Sequence, residues 1–175
     1  MGLDSYIFKT TKQQAMTKRK EILIARNKDR SIGLSAGNGM TIFATTNYSE
    51  YINRLKPDIY WRKYNQISAW LSEKVFNNQK DNIDKYIGVI TKKNLSELKD
   101  DCEKVNEHCI APDGQICIDE EFCKNIFPCI KGSFMGSTSY DEWFIKDIKN
   151  AMDDIDRLLS SSKNPNVRFI FYMDY

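Results

Sequence analysis

Apolar residues recur every three or four positions in three stretches of the chain, the spacing typical of helices that bury one face. The first stretch covers residues 59–76, with the helix-start signal Pro57-Asp58 directly ahead of it. The second runs from Asn94, a residue type that caps helix starts, to residue 109. The spacing therefore predicts helices over 59–76 and 94–109.

The strongest helical repeat begins after Ser139 and continues to Ser160. Ser139 and Glu142 have the spacing of a capping box, in which each side chain accepts a hydrogen bond from the other residue's backbone N–H. Asp141 adds a negative charge at the positive end of the helix dipole. We predict a third helix here, capped by Ser139.

Three short segments, 3–9, 86–91 and 167–172, are rich in β-branched and aromatic residues and predict strands. Two of them lie at the chain ends, so we expect the terminal strands at the centre of one sheet. Helices between these strands indicate an α+β fold, a mainly antiparallel sheet packed by two or three helices. The length of 175 residues fits a single domain, 1–175.

Residues 10–40 form a polar, basic stretch that ends in a glycine-rich segment. Asn38-Gly39 is a strong hairpin-turn signal, and the apolar runs at 22–24 and 41–44 suit short strands. A phosphate-binding loop would need a Lys-Ser/Thr pair opening a helix, and none follows here. We therefore expect a basic hairpin or insertion at about 10–40. Proline and glycine at intervals over 110–137 predict irregular structure there.

The net charge of +2 is small for a dedicated nucleic-acid binder, but it hides an asymmetry. Residues 1–70 carry 12 basic and 5 acidic side chains, whereas residues 71–175 carry 14 and 19. Such polarity indicates either an anionic partner on one side of the molecule or only solvated faces. Nucleic acid would be one such partner, bound by the basic stretch 12–30.

Aromatic and cationic residues are interleaved at the start of the first predicted helix, which reads Tyr60-Trp61-Arg62-Lys63-Tyr64-Asn65. Rings suit stacking on a base, cations suit a phosphate, and a helix start offers free N–H groups to an anion. The candidate ligand-binding residues in this segment are Tyr60, Trp61, Arg62, Lys63 and Asn65. The alternative is that the aromatics belong to the core and the cations merely flank it.

Glycines and hydroxyls precede the third predicted helix, over residues 132–139. Such a segment at a helix start can hold a phosphate, which makes Ser137 and Thr138 candidate ligand-binding residues. Asp141 and Glu142 oppose this role by adding negative charge, and helix capping alone explains the pattern. Either carboxylate is also a candidate general acid or base.

Five cysteines lie between residues 102 and 129, and His108 is the single histidine of the chain. No CxxC pair occurs and the count is odd, so neither a disulfide framework nor a ribbon-type zinc site is indicated. We expect buried, reduced thiols, no bound metal and no cofactor. One histidine also excludes mechanisms that need a histidine pair, among them HExxH-type zinc sites.

Three motifs resemble a family of small, mostly uncharacterised phage and prophage proteins. They are Met-Gly-Leu-Asp at 1–4, Tyr-Trp-Arg-Lys-x-Asn-x-Ile leading to a Trp at 60–70, and Gly-x-Phe-x-Gly-Ser-x-x-Tyr-Asp-Glu within 132–144. Members of this family typically carry a His two residues before that Trp, where this chain has Ser68. If that His is catalytic, the departure favours binding over catalysis. The resemblance implies a phage-related origin and no established activity.

We therefore hypothesise a non-enzymatic, phage-type accessory protein that binds an anionic, nucleotide-like ligand. It would act in counter-defence, by sequestering a host immune signal or by blocking a host defence protein. Two alternatives stay open: a protein–protein inhibitor without a small ligand, and a metal-dependent enzyme acting on nucleotides or nucleic acid. The sequence has no membrane-spanning window and no signal-peptide run, so we expect a cytoplasmic location, that of the host if the gene is phage-borne.

Overall fold

The computed structural model of the chain describes residues 2–32, 50–76, 87–132 and 135–174. Within these ranges four strands form one antiparallel sheet in the order β2-β1-β4-β3. The strands are β1 (Asp4–Thr11), β2 (Ile59–Arg62), β3 (Ile87–Ile90) and β4 (Val167–Asp174). The two ends of the chain supply the central pair, which confirms the expectation from the sequence.

Six helices are present in the described part of the chain. They are α1 (Ala15–Ile32), α2 (Glu50–Arg54), α3 (Asn65–Phe76), α4 (Lys92–Cys109), α5 (Glu120–Ile126) and α6 (Glu142–Ser160). Helices and sheet together confirm the predicted α+β class. Among these helices, none is long and apolar enough to cross a membrane.

The sheet separates two hydrophobic cores, because successive side chains of a strand point to opposite faces. On one face Ile7 and Trp61 pack with apolar residues of α3, α4, α5 and α6. On the other face Tyr6 and Tyr172 pack with Ile22 and other apolar residues of α1 and α2. The larger core, on the first face, contains most of the residues that position the candidate site.

Helix α1 occupies the stretch for which the sequence predicts a strand at 22–24. Ile22 and Ala25 lie three residues apart and are both buried, as expected for one face of a helix. The predicted strand is therefore wrong, and the basic stretch is helical from Ala15 to Ile32. The Asn38-Gly39 turn lies outside the described residues.

Residues 59–62 form strand β2, so the predicted helix over 59–76 is wrong at its start. Ile59 and Trp61 are buried whereas Tyr60 and Arg62 are exposed, which is the alternation of a strand. Backbone pairing with β1 holds the segment extended, with Asp4 opposite Arg62. The helix itself begins at Asn65.

The helix caps also differ from those expected. Thr91 caps α4, and Asn94 is its capping-box partner three residues later. Asp141, and not Ser139, caps α6 by accepting hydrogen bonds from two backbone N–H groups. Within the stretch predicted to be irregular, Asp119 caps the short helix α5.

Candidate ligand-binding site

The two motif segments of the sequence meet in the structure, and Asn65 joins them. Its Nδ2 donates hydrogen bonds to the carbonyl oxygens of Ile130 and Met135, at 2.9 and 3.0 Å. Its Oδ1 accepts a bond of 2.7 Å from the backbone N–H of Ile130. Asn65 is fully buried, so its amide holds the backbone of Ile130 and Met135 in place and is not presented to a ligand.

A second set of contacts extends this junction toward residue 139. Gln66 Nε2 donates to the carbonyl oxygen of Ser139 at 2.9 Å. Gly136 has φ of +89°, and a Cβ placed on it would lie 2.8 Å from the Lys63 carbonyl oxygen. The glycine is required here both for its dihedral angle and for the close approach of the two backbones.

Lys63 also adopts the left-handed conformation, with φ of +63°, which is unusual for a residue other than glycine. Its N–H donates to the Leu3 carbonyl oxygen at 2.7 Å, and its own carbonyl accepts from the Asn65 N–H at 2.8 Å. These bonds and the contact with Gly136 fix the turn between β2 and α3. The Lys63 side chain is exposed next to Gly136, which belongs to residues 135–139, here called the Gly-Ser segment.

Trp61 is a core residue, with only 1% of its surface exposed. Its Nε1–H donates a bond of 2.8 Å to Asp154 Oδ2 on α6, and its ring stacks on Tyr64 with centroids 5.8 Å apart. Ser68, the position of the family histidine, is also buried, with its Oγ 2.7 Å from Ser5 Oγ. Neither Trp61 nor Ser68 faces solvent, so neither can contact a ligand in this arrangement.

Tyr60 and Arg62 lie on the opposite face of the sheet from Trp61. The Tyr60 hydroxyl donates a bond of 2.7 Å to Asp4 Oδ1, and its ring stacks on Tyr6 at 5.1 Å. Burial and then the Asp4 contact raise the pKa of Tyr60 to about 12. Burial raises the pKa of the Asp4 carboxyl, against the lowering effects of the Tyr60 hydrogen bond and of Arg62, which lies opposite Asp4 in the strand pairing. The charge of Arg62 is thus partly balanced within the chain.

The structure therefore separates the sequence-predicted site residues into groups. Tyr60 and Arg62 form a cluster with Asp4 at the sheet edge, while Trp61 and Asn65 are buried. Lys63, Ser137 and Thr138 are exposed around the junction with Gly136. Ser137 Oγ accepts a bond of 3.1 Å from the backbone N–H of Ser139, which fixes the turn.

Thr138 lines an open pocket of about 760 Å³, which lies between α5, residues 128–131 and residues 138–140. The pocket is formed by charged, hydroxyl, thiol and ring side chains from three neighbouring parts of the chain. They are Glu120, Lys124, Pro128, Cys129, Lys131, Thr138, Ser139 and Tyr140. This volume is within the range of about 300–1,000 Å³ that is typical of small-molecule sites.

Two lysines and one glutamate give this pocket a positive balance. Lys124 forms an ion pair of 2.6 Å with Glu120 and lies 5.9 Å from the centre of the Tyr140 ring. Lys131 is exposed and forms no ion pair with any described residue. Among the described residues, Lys131 is therefore the pocket lysine without an ion-pair partner.

Tyr140 and Cys129 form the inner part of the pocket. The Tyr140 hydroxyl donates a bond of 2.6 Å to the Phe127 carbonyl oxygen, and Cys129 Sγ lies 3.1 Å from the same hydroxyl oxygen. Burial, followed by the Cys129 contact, raises the pKa of Tyr140. The hydroxyl is therefore protonated at neutral pH and holds the ring in a fixed position.

The start of α6 is not available to a phosphate. Asp141 Oδ1 accepts from the N–H groups of Trp143 and Phe144 at 3.0 and 3.1 Å, which places a carboxylate where an anion would bind. Capping α6 gives Asp141 a structural role.

The cysteines differ in their exposure. Cys102, Cys109 and Cys123 are buried, Cys129 is half-buried and Cys117 is exposed, and none forms a disulfide. The expectation of buried thiols is therefore wrong for Cys117 and Cys129. In the parts of the chain that the structure describes, no group of three or more His, Cys, Asp or Glu side chains could hold a metal ion.

The sequence patterns missed Lys124, Lys131, Cys129 and Tyr140 as members of a site. A signal for α5 was present, since Asp119 precedes two glutamates and the apolar residues Phe122, Cys123 and Ile126. Comparisons of the chain with protein-family models, with curated proteins and with solved structures find no match.

Proposed function

We propose that this protein binds a small anionic ligand in the pocket between α5 and the Gly-Ser segment, without chemically converting it. The observation that carries the proposal is the position of Lys131. Its unmatched positive charge lies at the same pocket as the hydroxyl residues Thr138 and Ser139. A cation beside hydroxyl donors is suited to a phosphate group, because hydrogen bonds to a charged acceptor are the stronger ones.

A nucleotide-like ligand fits the remaining walls. Pro128 and the Tyr140 ring provide apolar surface for a base or a sugar, and Lys124 lies over the same ring. Lys63 and Ser137, exposed on the neighbouring turn, would extend the contacts of a longer ligand. Arg62 lies opposite Asp4 in the strand pairing, away from the pocket lining, and is not needed for this proposal.

Binding is proposed rather than catalysis because of how the reactive side chains are engaged. Asp141 caps α6, and His108 Nε2 lies 3.1 Å from Asp119 Oδ2 with its ring stacked on Phe122. Neither residue lines the pocket. The resemblance implies a phage-related origin only; the proposed role, sequestering a nucleotide signal in the cytoplasm of a host cell, rests on the pocket.

The test is calorimetric titration of the full chain with mono-, di- and cyclic nucleotides and with inorganic phosphate. We expect at least one nucleotide to bind, and Lys131→Ala to weaken it about tenfold or more, the effect of losing one charge-assisted contact. Lys163→Ala is the matched control, because Lys163 is an exposed lysine outside the pocket. Absence of heat from every ligand, or equal losses in the two variants, would contradict the proposal.

A protein partner is the second candidate, and the exposure of Trp143 favours it. This side chain is 71% exposed on α6, with the Lys146 ammonium 5.2 Å from its ring. An exposed indole is a frequent anchor of protein interfaces. If a host protein is the target, Trp143→Ala should abolish its co-elution with the chain in gel filtration, while Lys131→Ala should leave it unchanged.

A further inference from the structure

Two buried cysteines lie side by side where the end of α4 meets α5. Cys109 is the last residue of α4 and Cys123 lies in the middle of α5. Both have 0% of their surface exposed, and their sulfur atoms are 3.5 Å apart. A disulfide bond is about 2.05 Å long, so a shift of about 1.5 Å between the two helices would join them.

We propose that Cys109 and Cys123 form a redox-active pair, which a small disulfide such as glutathione disulfide converts to an intramolecular disulfide that locks α5 onto α4. Neither sulfur lines the ligand pocket. The pair is therefore a site of its own, and its test is independent of the proposed ligand.

Because both thiols are buried, an oxidant reaches them only when the segment that joins them moves. Cys117 lies in this segment, is exposed, and donates its backbone N–H to the Cys109 carbonyl oxygen at 2.8 Å. Helix α5 has only seven residues, and local opening of this short helix, which would expose Cys123, is part of the proposal. In the closed state burial, and then the Cys109 contact, raises the pKa of Cys123 to about 12, which keeps its thiol unreactive until α5 opens.

The exchange balances in two steps. In the opened state the Cys123 thiolate attacks one sulfur of glutathione disulfide and releases one glutathione thiolate. The Cys109 thiolate then attacks Cys123 Sγ and releases the second glutathione. The two cysteines lose two electrons and two protons, and glutathione disulfide is reduced to two glutathione thiols.

The disulfide would link the last residue of α4 covalently to the middle of α5. The same helix carries Glu120 and Lys124, which line the pocket wall. A cross-link that closes a loop of this length is expected to raise the melting temperature by about 5–10 °C, mainly by restricting the unfolded chain.

The test treats the full chain with glutathione disulfide at neutral pH, alkylates the remaining thiols and maps the peptides without reduction. We expect a Cys109–Cys123 linked peptide, the rise in melting temperature, and reversal of both by dithiothreitol. Cys102→Ala is the matched control, because Cys102 is equally buried on α4 and should not alter the result. Cys123→Ala should abolish the temperature rise.

The peptide map of the wild-type chain tests the proposal even if a cysteine variant fails to fold. Glutathione adducts on Cys117 or Cys129, with Cys109 and Cys123 both still open to alkylation after denaturation, would overturn the proposal.

Discussion

The backbone of Gly136 lies directly against the backbone of Lys63, so that a Cβ at residue 136 would be 2.8 Å from the Lys63 carbonyl oxygen and 3.0 Å from its Cβ. Both residues have positive φ angles, +89° and +63°. This contact brings the turn that follows β2 against the Gly-Ser segment, one end of which lines the pocket. The contact thus positions the backbone two residues before Thr138.

Gly136→Ala should destabilise the fold by about 2–4 kcal/mol, because the methyl group adds a clash to the unfavourable left-handed conformation. Gly114→Ala separates the two effects, since Gly114 has φ of +85° and no atom within 4 Å of the added Cβ. We expect about 1 kcal/mol for that control. Urea denaturation measures both changes, and equal losses would show that the contact with Lys63 is not tight.

Asn65→Ala should cost about 2–4 kcal/mol in the free energy of unfolding. The change leaves the Ile130 N–H and the carbonyl oxygens of Ile130 and Met135 without their partner in a buried place. Asn150→Ala is the control, because that exposed amide makes one bond of 3.2 Å to the Tyr64 hydroxyl. Its effect should stay within about 0.5 kcal/mol. A small loss at Asn65 would mean that Ile130 and Met135 are held by other contacts.

Trp61→Phe should lower stability by about 2 kcal/mol, since it removes the hydrogen bond to Asp154 and part of a buried ring. Trp143→Phe is a matched change at an exposed indole and should have almost no effect on folding. Thermal unfolding followed by circular dichroism compares the two variants. A Trp143 change that is as harmful as the Trp61 change would contradict the assignment of Trp61 to the core.

Asp147 should make stability depend on pH. Burial, and then the nearby Asp141, raise the pKa of this half-buried carboxyl to about 6, above the value of about 3.9 expected in the unfolded chain. A raised folded-state pKa favours the protonated form, so its contribution to stability is present below about pH 4 and lost as pH rises through 6.

Asp147→Asn should therefore stabilise the protein relative to wild type at pH 8, by about 1 kcal/mol once solvent screening is allowed for, and not at pH 4. Asp153→Asn, at an exposed position of the same helix, should give no such pH-dependent difference. Urea titrations at pH 4 and pH 8 measure the free energy of unfolding of each variant relative to wild type. A constant difference across this range would contradict the raised pKa.

The sequence patterns were most successful where one long segment determines its own environment. The repeat from Phe144 to Leu158 predicts α6 because its apolar residues all face one core. The segments 3–9 and 167–172 predict β1 and β4, and the burial of residues on both faces of each strand agrees with their central position in the sheet.

The errors arose where contacts distant in sequence decide the structure. Tyr60 and Trp61 fit a helical spacing, but pairing with β1 and the burial of alternate residues hold them in a strand. The Asn65 amide can donate and accept hydrogen bonds, which makes it a candidate for ligand binding from sequence alone. Its hydrogen bonds to Ile130 and Met135 cannot be predicted from local spacing. The pocket was missed for the same reason, since Lys131 and α5 converge only in three dimensions.

The most direct test of the ligand-binding proposal is a titration of the ¹⁵N-labelled protein with the nucleotide that gives the strongest calorimetric signal, followed by NMR. We expect the largest amide shifts at Lys131, at 138–140 and in α5, and only small changes at Tyr60 and Arg62. Shifts confined to the Tyr60–Arg62 edge, or no shifts with any nucleotide of the panel, would contradict the account.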